Sequence, residues 1–140
     1  MAHRAVIDTN VLVAGLRSRR GTSFRLLQPL GDPRWCPCLS VPVALEYEDV
    51  LKREFMRPVI GTADVDLLLD YFFGVADLVE VQFRLRPTLR DPDDDRILEL
   101  AARSGAAIVT LNTRDFVGAA AYGVQVVRPV EFLQQIGDLR

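Results

Sequence analysis

Short apolar runs alternate with longer segments of helical periodicity along most of the 140-residue chain. The apolar runs predict five strands, at residues 5–8, 38–41, 78–82, 107–110 and 124–127. The helical patterns predict five helices, at residues 23–30, 42–53, 63–75, 94–103 and 129–136. Strands that alternate with helices are typical of a parallel sheet covered on both faces. The pattern therefore predicts an α/β fold, in which Gly105 ends the fourth predicted helix.

No repeat, low-complexity tract or long linker divides the chain, so residues 1–140 are predicted to form a single domain. Hydrophobic residues make up 49% and charged residues 26% of the sequence, which is the composition of a globular protein rather than a disordered one. No apolar run is long enough to span a bilayer, and the N-terminus lacks the core of a signal peptide. We therefore expect a cytoplasmic protein.

The net charge of -2 does not by itself indicate a nucleic-acid-binding protein. Bulk charge misleads, however, when several acidic residues belong to one metal site. Lys52 is the one lysine among 17 basic residues, and arginine is the better bidentate ligand for phosphate. Cys36 and Cys38 together with the distant His3 do not supply the four ligands of a structural zinc site. We interpret both cysteines as ordinary buried or edge residues.

The first predicted strand ends in a run of polar side chains, Asp8, Thr9 and Asn10. A buried carboxylate is costly unless it is hydrogen-bonded, charge-paired or bound to a metal. In open α/β sheets, ligand sites lie outside the carboxyl ends of the strands. Asp8 is therefore the first candidate site residue.

Two further acidic residues interrupt the apolar stripes of predicted helices. Glu46 shares its stripe with Val43, Tyr47 and Val50, and Asp94 shares a stripe with Ile97, Leu98 and Ala101. Asp91, Asp93 and Asp95 surround Asp94 at the start of its helix, where acidic residues also complement the helix dipole. For Asp93 and Asp95 that ordinary explanation is favoured, whereas Asp94 and Glu46 are candidate site residues.

The fourth predicted strand repeats the pattern of the first, because polar residues Asn112 and Asp115 follow the buried run at 107–110. Asn112 could equally be a turn residue and Asp115 a loop cap. Convergence of Asp8, Glu46, Asp94 and Asp115, with Asp91 close by, would produce strong repulsion between carboxylates. A hard divalent cation with oxygen ligands relieves such repulsion, and Mg²⁺ or Mn²⁺ suits a shell of carboxylates and water.

These segments, taken in order, resemble the PIN-domain nucleases. The resemblance covers nearly the whole chain and is carried by residues 6–12, Glu46, residues 90–101 and residues 109–116. Within that family the chain is most similar to the VapC-type toxins of bacterial toxin–antitoxin pairs. The resemblance implies a three-layer α/β/α fold with a Rossmann-like parallel sheet. It also implies an endoribonuclease that depends on Mg²⁺ or Mn²⁺, forms a homodimer and has a small antitoxin protein as its partner.

Carried over by position, Asp8, Glu46, Asp94 and Asp115 match the acidic quartet of the family, and Thr9 or Asn10 matches its small polar residue. The chain departs from the family pattern at one place. Many members have Thr-Gly-Asp where this chain has residues 110–112, Thr-Leu-Asn. Other members have Asn there and an acidic residue three positions later, as here. We predict that Asp115 acts on the metal or its water and that Asn112 shapes the turn or contacts phosphate.

Other classes of protein also place acidic residues at the ends of strands. A phosphatase of the haloacid dehalogenase type needs a second Asp two residues after the first, where this chain has Asn10. A phosphoacceptor receiver domain needs a lysine after a late strand, and this chain has none there. A PIN nuclease of RNA processing outside a toxin–antitoxin pair, or a non-catalytic PIN module that binds RNA or protein, would carry the same fold.

Arginines cluster after the segment that leaves Asp8. Arg17, Arg19 and Arg20 are predicted to contact RNA phosphates near the entrance of the site, which would make RNA binding sensitive to salt. The alternative is a solvated loop without a role in binding.

Overall fold

A computed structural model describes residues 3–18, 20–27, 32–81 and 91–137 of the protein. Within these ranges, five strands form one parallel sheet: β1 (His3–Ile7), β2 (Trp35–Leu39), β3 (Asp77–Leu78), β4 (Ala107–Val109) and β5 (Val126–Val127). Their order in space is β3-β2-β1-β4-β5. The chain therefore adds strands on one side of β1 and then crosses over to add the remaining two on the other side.

The helices of the described ranges are α1 (Thr9–Arg17), α2 (Thr22–Leu27), α3 (Val41–Leu51), α4 (Thr62–Val75), α5 (Pro92–Ser104) and α6 (Pro129–Gln135). Two 3₁₀ helices, Glu54–Met56 and Thr113–Tyr122 (the 3₁₀ segment), also lie within these ranges. None of these helices is long and apolar enough to cross a membrane.

Successive residues of β1 point to opposite faces of the sheet, and each face is covered by a helix. On one face, the rings of His3 and Trp35 contact Phe132 of α6 edge-to-face, with centroids 6.3 and 5.4 Å away. On the other face, Arg4 donates to the carbonyl of Ser104 in α5 at 2.9 Å. The predicted three-layer α/β/α architecture is confirmed.

The centre of the sheet is fully buried, and the site candidates lie at its end. Val6 and Ile7 of β1 pair with Ile108 and Val109 of β4, and none of these side chains is exposed. Strand order reverses between β1 and its two neighbours, which opens a crevice at the carboxyl ends of the strands. Asp8 and Thr110 immediately follow β1 and β4, so both stand at this crevice.

Several predicted boundaries are wrong for identifiable reasons. The second predicted strand runs only to Leu39, because Ser40 caps α3 by accepting from the amide of Val43 at 3.4 Å. The third is reduced to Asp77–Leu78, and residue 82 lies outside the described residues. Helix α1 and the 3₁₀ segment are not among the five predicted helices. Gly105, in contrast, ends α5 as expected, with a φ of 65° that favours glycine.

Both cysteines lie in β2 and are free thiols. Cys38 is buried and Cys36 is half-buried, which agrees with their interpretation as ordinary strand residues.

Candidate active site

Asp8 lies at the end of β1 with its carboxylate almost entirely buried, its residue being 7% exposed. Its amide donates to the carbonyl of Val109 at 2.9 Å, which fixes its backbone against β4. Its Oδ2 accepts a hydrogen bond of 2.7 Å from the hydroxyl of Thr110. Burial raises the pKa of Asp8, and the hydrogen bonds from Thr110 and from the Thr9 backbone oppose that shift. Asp8 is therefore a buried acid held by a specific donor.

Thr110 is a site residue that the sequence interpretation missed. Its side chain is fully buried, and its hydroxyl accepts from the Asn10 amide at 3.4 Å and from the backbone amide of Asn112 at 3.1 Å. Asn10 in turn accepts from the amide of Leu111 at 3.3 Å. The loops after β1 and β4 are thus joined through side chains. Thr110 occupies the same place after β4 that Asp8 occupies after β1, which is the signal that could have identified it.

Asp94 lies in the first turn of α5, where several carboxylates face one another. Burial raises the pKa of Asp94 to about 7, and the negative charges of Asp8, Asp91, Asp115 and Asp93 contribute to that shift. A carboxyl group with such a pKa is only partly ionised near neutral pH. The charge of Asp115 also raises the pKa of Asp8, so the structure brings Asp8, Asp94 and Asp115 into one electrostatic cluster.

Asp91 and Asp93 have local roles at the start of α5. Asp91 is the N-cap, and its carboxylate accepts from the amide of Asp93 at 2.9 Å. Asp93 pairs with Arg96 at 3.2 Å on the exposed surface. Asp93 is therefore interpreted as an acidic residue that complements the dipole of α5. Asp91 caps the same helix and also lies near Asp94.

Glu46 is half-buried on α3. Burial raises the pKa of Glu46, and the strongest charge effect on it comes from Asp93 rather than from Asp8 or Asp94. Arg53 and Arg96 lower the same pKa. The following residue, Tyr47, is fully buried and donates a short hydrogen bond to the carbonyl of Ile7. That bond fixes α3 against the end of β1 and sets the position of Glu46.

Asp115 and Asn112 differ in how they are held. Asp115 is exposed in the first turn of the 3₁₀ segment, and its amide donates to the carbonyl of Asn112 at 3.1 Å. Asn112 is exposed as well, and its described hydrogen bonds are made by its backbone. Asn112 thus forms the turn, while the carboxylate of Asp115 lies close enough to Asp8 and Asp94 to affect both pKa values.

A sequence profile of the PIN domain matches residues 4–114, and this range contains β1, β4 and most of the acidic cluster. The chain belongs to the PIN domain family. The family assignment made from the sequence motifs is therefore confirmed. No curated protein sequence matches this PIN domain.

Two solved structures have the same fold at low sequence identity. One is the structure of VapBC2 from Rickettsia felis bound to a DNA fragment from the VapBC2 promoter. A chain of that structure aligns with a TM-score of 0.63 and 16% identity, and the alignment covers 89% of this chain and 98% of that chain. A chain of VapBC-1 from nontypeable Haemophilus influenzae aligns with a TM-score of 0.62 and 12% identity over 91% of this chain and 98% of that one. At these identities the likeness concerns the fold.

The acidic residues of this PIN domain suit a hard divalent cation that keeps part of its water shell. They do not suit a cation that is coordinated by protein ligands alone. Among the described residues, no three acidic, histidine or cysteine side chains are close enough together to hold a metal ion directly. Mg²⁺ usually keeps several waters and needs only one or two carboxylates. Asp8 and Asp94 fit that requirement, because the charge of Asp8 raises the pKa of Asp94 and a cation would relieve this repulsion.

The remaining predicted contacts lie around this cluster. Thr9 is buried beside Asp8, whereas Arg17 and Arg20 are exposed. Arg19 lies outside the described residues.

Replacement of Thr110 by valine is expected to lower the free energy of unfolding by about 2 kcal/mol, because Asp8 loses a buried hydrogen bond to its charged form. Urea denaturation of the metal-free protein measures the loss. The variant Thr110→Ser keeps the hydroxyl and is the matched control. Equal stability of Thr110→Val and wild type would show that the bond to Asp8 contributes nothing.

Proposed function

We propose that this PIN domain is an endoribonuclease that uses Mg²⁺ or Mn²⁺ to hydrolyse RNA phosphodiester bonds. The observation that carries the proposal is the cluster of Asp8, Asp94 and Asp115 at the switch point of the sheet, in which the charge of Asp115 raises the pKa of both Asp8 and Asp94. The described side-chain hydrogen bond of Asp8 comes from Thr110, which carries no charge. A bound cation would therefore relieve the repulsion between the carboxylates of this cluster.

The chain's own residues have distinct roles in this proposal. Asp8 and Asp94 hold the cation, and Thr110 orients Asp8 for that purpose. Glu46 acts at the edge of the cluster, through a water molecule. Asp115, which is exposed on the 3₁₀ segment, orients the attacking water. A bound divalent cation would polarise the phosphate, lower the pKa of the attacking water and stabilise the departing oxygen.

Cleavage of a mixed-sequence single-stranded RNA tests the activity. With Mn²⁺ the wild-type protein is expected to cut internal bonds, and excess chelator is expected to stop cleavage. The variant Asp8→Asn, purified in parallel, controls for contaminating ribonuclease. RNA binding without cleavage under all metal conditions would instead identify a non-catalytic RNA-binding module.

We infer further that the protein acts in the cytoplasm as the toxin of a toxin–antitoxin pair. Support comes from the fold that it shares with chains of two VapBC structures. A toxin of this class arrests growth when it is produced alone, and a small protein encoded beside it restores growth. Growth that is unaffected by the active protein would favour the alternative, an RNA-processing PIN nuclease outside such a pair.

A homodimer is the oligomeric state that we propose, formed through an exposed apolar surface on α3, α4 and β3. The side chains of Val41, Leu45, Phe73 and Leu78 are between 39% and 68% exposed. Val41 and Phe73 line two adjacent cavities, one with Leu78 and one with Leu45, so the four residues form one continuous surface. Apolar patches of this kind are typical of protein interfaces.

Sedimentation velocity is expected to show a dimer for wild type and a monomer for Leu45→Glu, since a carboxylate within this surface would be buried without a partner. Val117→Glu, which places the same charge on a 79% exposed residue of the 3₁₀ segment, is expected to remain dimeric. A monomeric wild type at micromolar concentration would contradict the homodimer.

A further inference from the structure

A cavity of about 500 Å³ lies between α1 and α3, and its lining includes Thr9 and Asn10, the two residues that follow Asp8. Its wall is formed mainly by Thr9, Asn10, Val13, Ala14, Arg17 and Val50. This volume lies in the range of about 300–1,000 Å³ that is usual for small-molecule sites.

The two helices that line the cavity, α1 and α3, are both connected to candidate site residues. On α1, Thr9 and Asn10 directly follow Asp8, and the Asn10 amide is fixed by its bonds to Thr110 and Leu111. On α3, Val50 lies four residues after Glu46 and hence on the same helix face. One part of a long ligand could therefore bind near the carboxylates while a neighbouring part of the same ligand occupies this cavity.

The two ends of the cavity are polar and its middle is apolar. Val13, Ala14 and Val50 supply the apolar middle, while Arg17 and Ser18 stand at the end opposite to Asn10. Arg17 is seven residues after Asn10, which places it about 10 Å further along the helix axis. It is exposed and forms no ion pair with any other described residue. The cavity therefore suits an apolar group of a ligand, with the positive charge of Arg17 beyond that group.

We propose that this cavity is a subsite for one nucleobase of the RNA, beside the phosphate that is cut, and that Arg17 contacts a phosphate on its far side. The inference rests on the proposed nuclease function, because the chain that continues from the scissile phosphate is then RNA. Bases of single-stranded RNA are not paired and can be splayed out into such pockets. The positive charge of Arg17 complements the anionic backbone and adds no discrimination between bases.

Ala14→Phe is the test variant, since the larger side chain extends into the cavity from a partly exposed helix position. Ala121→Phe makes the same substitution on an exposed residue of the 3₁₀ segment and is the matched control. Each protein is assayed with one labelled single-stranded RNA and with copies of it that lack a single base on either side of the cleaved bond. Cleavage is measured with Mn²⁺, and binding is measured by fluorescence anisotropy in EDTA.

Wild type and Ala121→Phe are expected to lose about tenfold in cleavage and binding when one particular base is missing. Ala14→Phe should cleave and bind intact RNA about tenfold more weakly than wild type does. Removal of the same base should cause no further loss in this variant. Arg17→Ala should reduce the slope of log affinity against log salt concentration by about 0.7, as expected for one lost phosphate contact on a single strand.

Equal RNA binding and cleavage by Ala14→Phe and wild type would overturn the subsite while leaving the nuclease function intact, and would indicate a cavity that serves a protein partner. Absence of cleavage by wild type, combined with weaker binding by Ala14→Phe, would overturn the nuclease function and leave only an RNA-binding cavity, without a cut phosphate beside it. Absence of both binding and cleavage in wild type would overturn both.

Discussion

Asp94→Asn is expected to reduce RNA cleavage at least about a hundredfold, which corresponds to about 2.7 kcal/mol of lost transition-state stabilisation. The amide is a weaker ligand for a hard cation and removes one negative charge from the cluster. Wild type should also melt at a higher temperature in millimolar Mn²⁺, because binding to the folded state alone stabilises it. Asp94→Asn and Asp8→Asn should lose most of that shift. A wild-type melting temperature that Mn²⁺ does not change would contradict a shared metal site.

The metal-free protein gives a second measure of the same substitution. The pKa of Asp94 is raised to about 7 in the folded protein from its ordinary value of 3.8, by burial and by the charges of Asp8, Asp91, Asp115 and Asp93. Folding therefore favours the protonated form, so this contribution to stability is present below pH 4 and is lost as pH rises through about 7. In chelator, Asp94→Asn should make stability less dependent on pH in this window and raise it at pH 8. Identical pH profiles for the two proteins would show that burial and neighbouring charges do not raise the pKa of Asp94 in the folded protein.

Asp115→Asn is expected to cut more slowly than wild type by at least about tenfold, a loss of roughly 1.4 kcal/mol in transition-state stabilisation. Its charge raises the pKa of both Asp8 and Asp94, so the carboxylate lies within the electrostatic range of the proposed metal. Asn112→Ala is the matched comparison and should cost less, because the described hydrogen bonds of Asn112 are made by its backbone.

Single-turnover cleavage rates of the two variants at saturating Mn²⁺ compare them directly. Melting temperatures in chelator show whether the loop after β4 stays folded. Wild-type rates in Asp115→Asn together with an inactive but folded Asn112→Ala would reverse the two assignments.

The fold class and most of the acidic cluster could be read from the sequence alone. A polar residue that follows an apolar run indicates the end of a buried strand. Asp8 and the polar residues after 107–110 could therefore be identified as candidate site residues. The stripe that Asp94 shares with Ile97, Leu98 and Ala101 gave the side of α5 that faces the protein. Both signals are local, because they depend on the period of one strand or one helix. The α/β/α layers followed from the alternation of these periods.

Contacts between distant segments were decided only by the tertiary structure. Thr110 donates to Asp8 and accepts from Asn10 across about 100 residues of sequence, and no local period contains that information. The same limit applies to Glu46, whose strongest charged neighbour, Asp93, lies on another helix. Helix α1, which starts directly after β1 with Asp8 as its N-cap, was not among the predicted helices. Strand order and the packing of α3 against β1 therefore determine which of the acids that the sequence indicates actually meet.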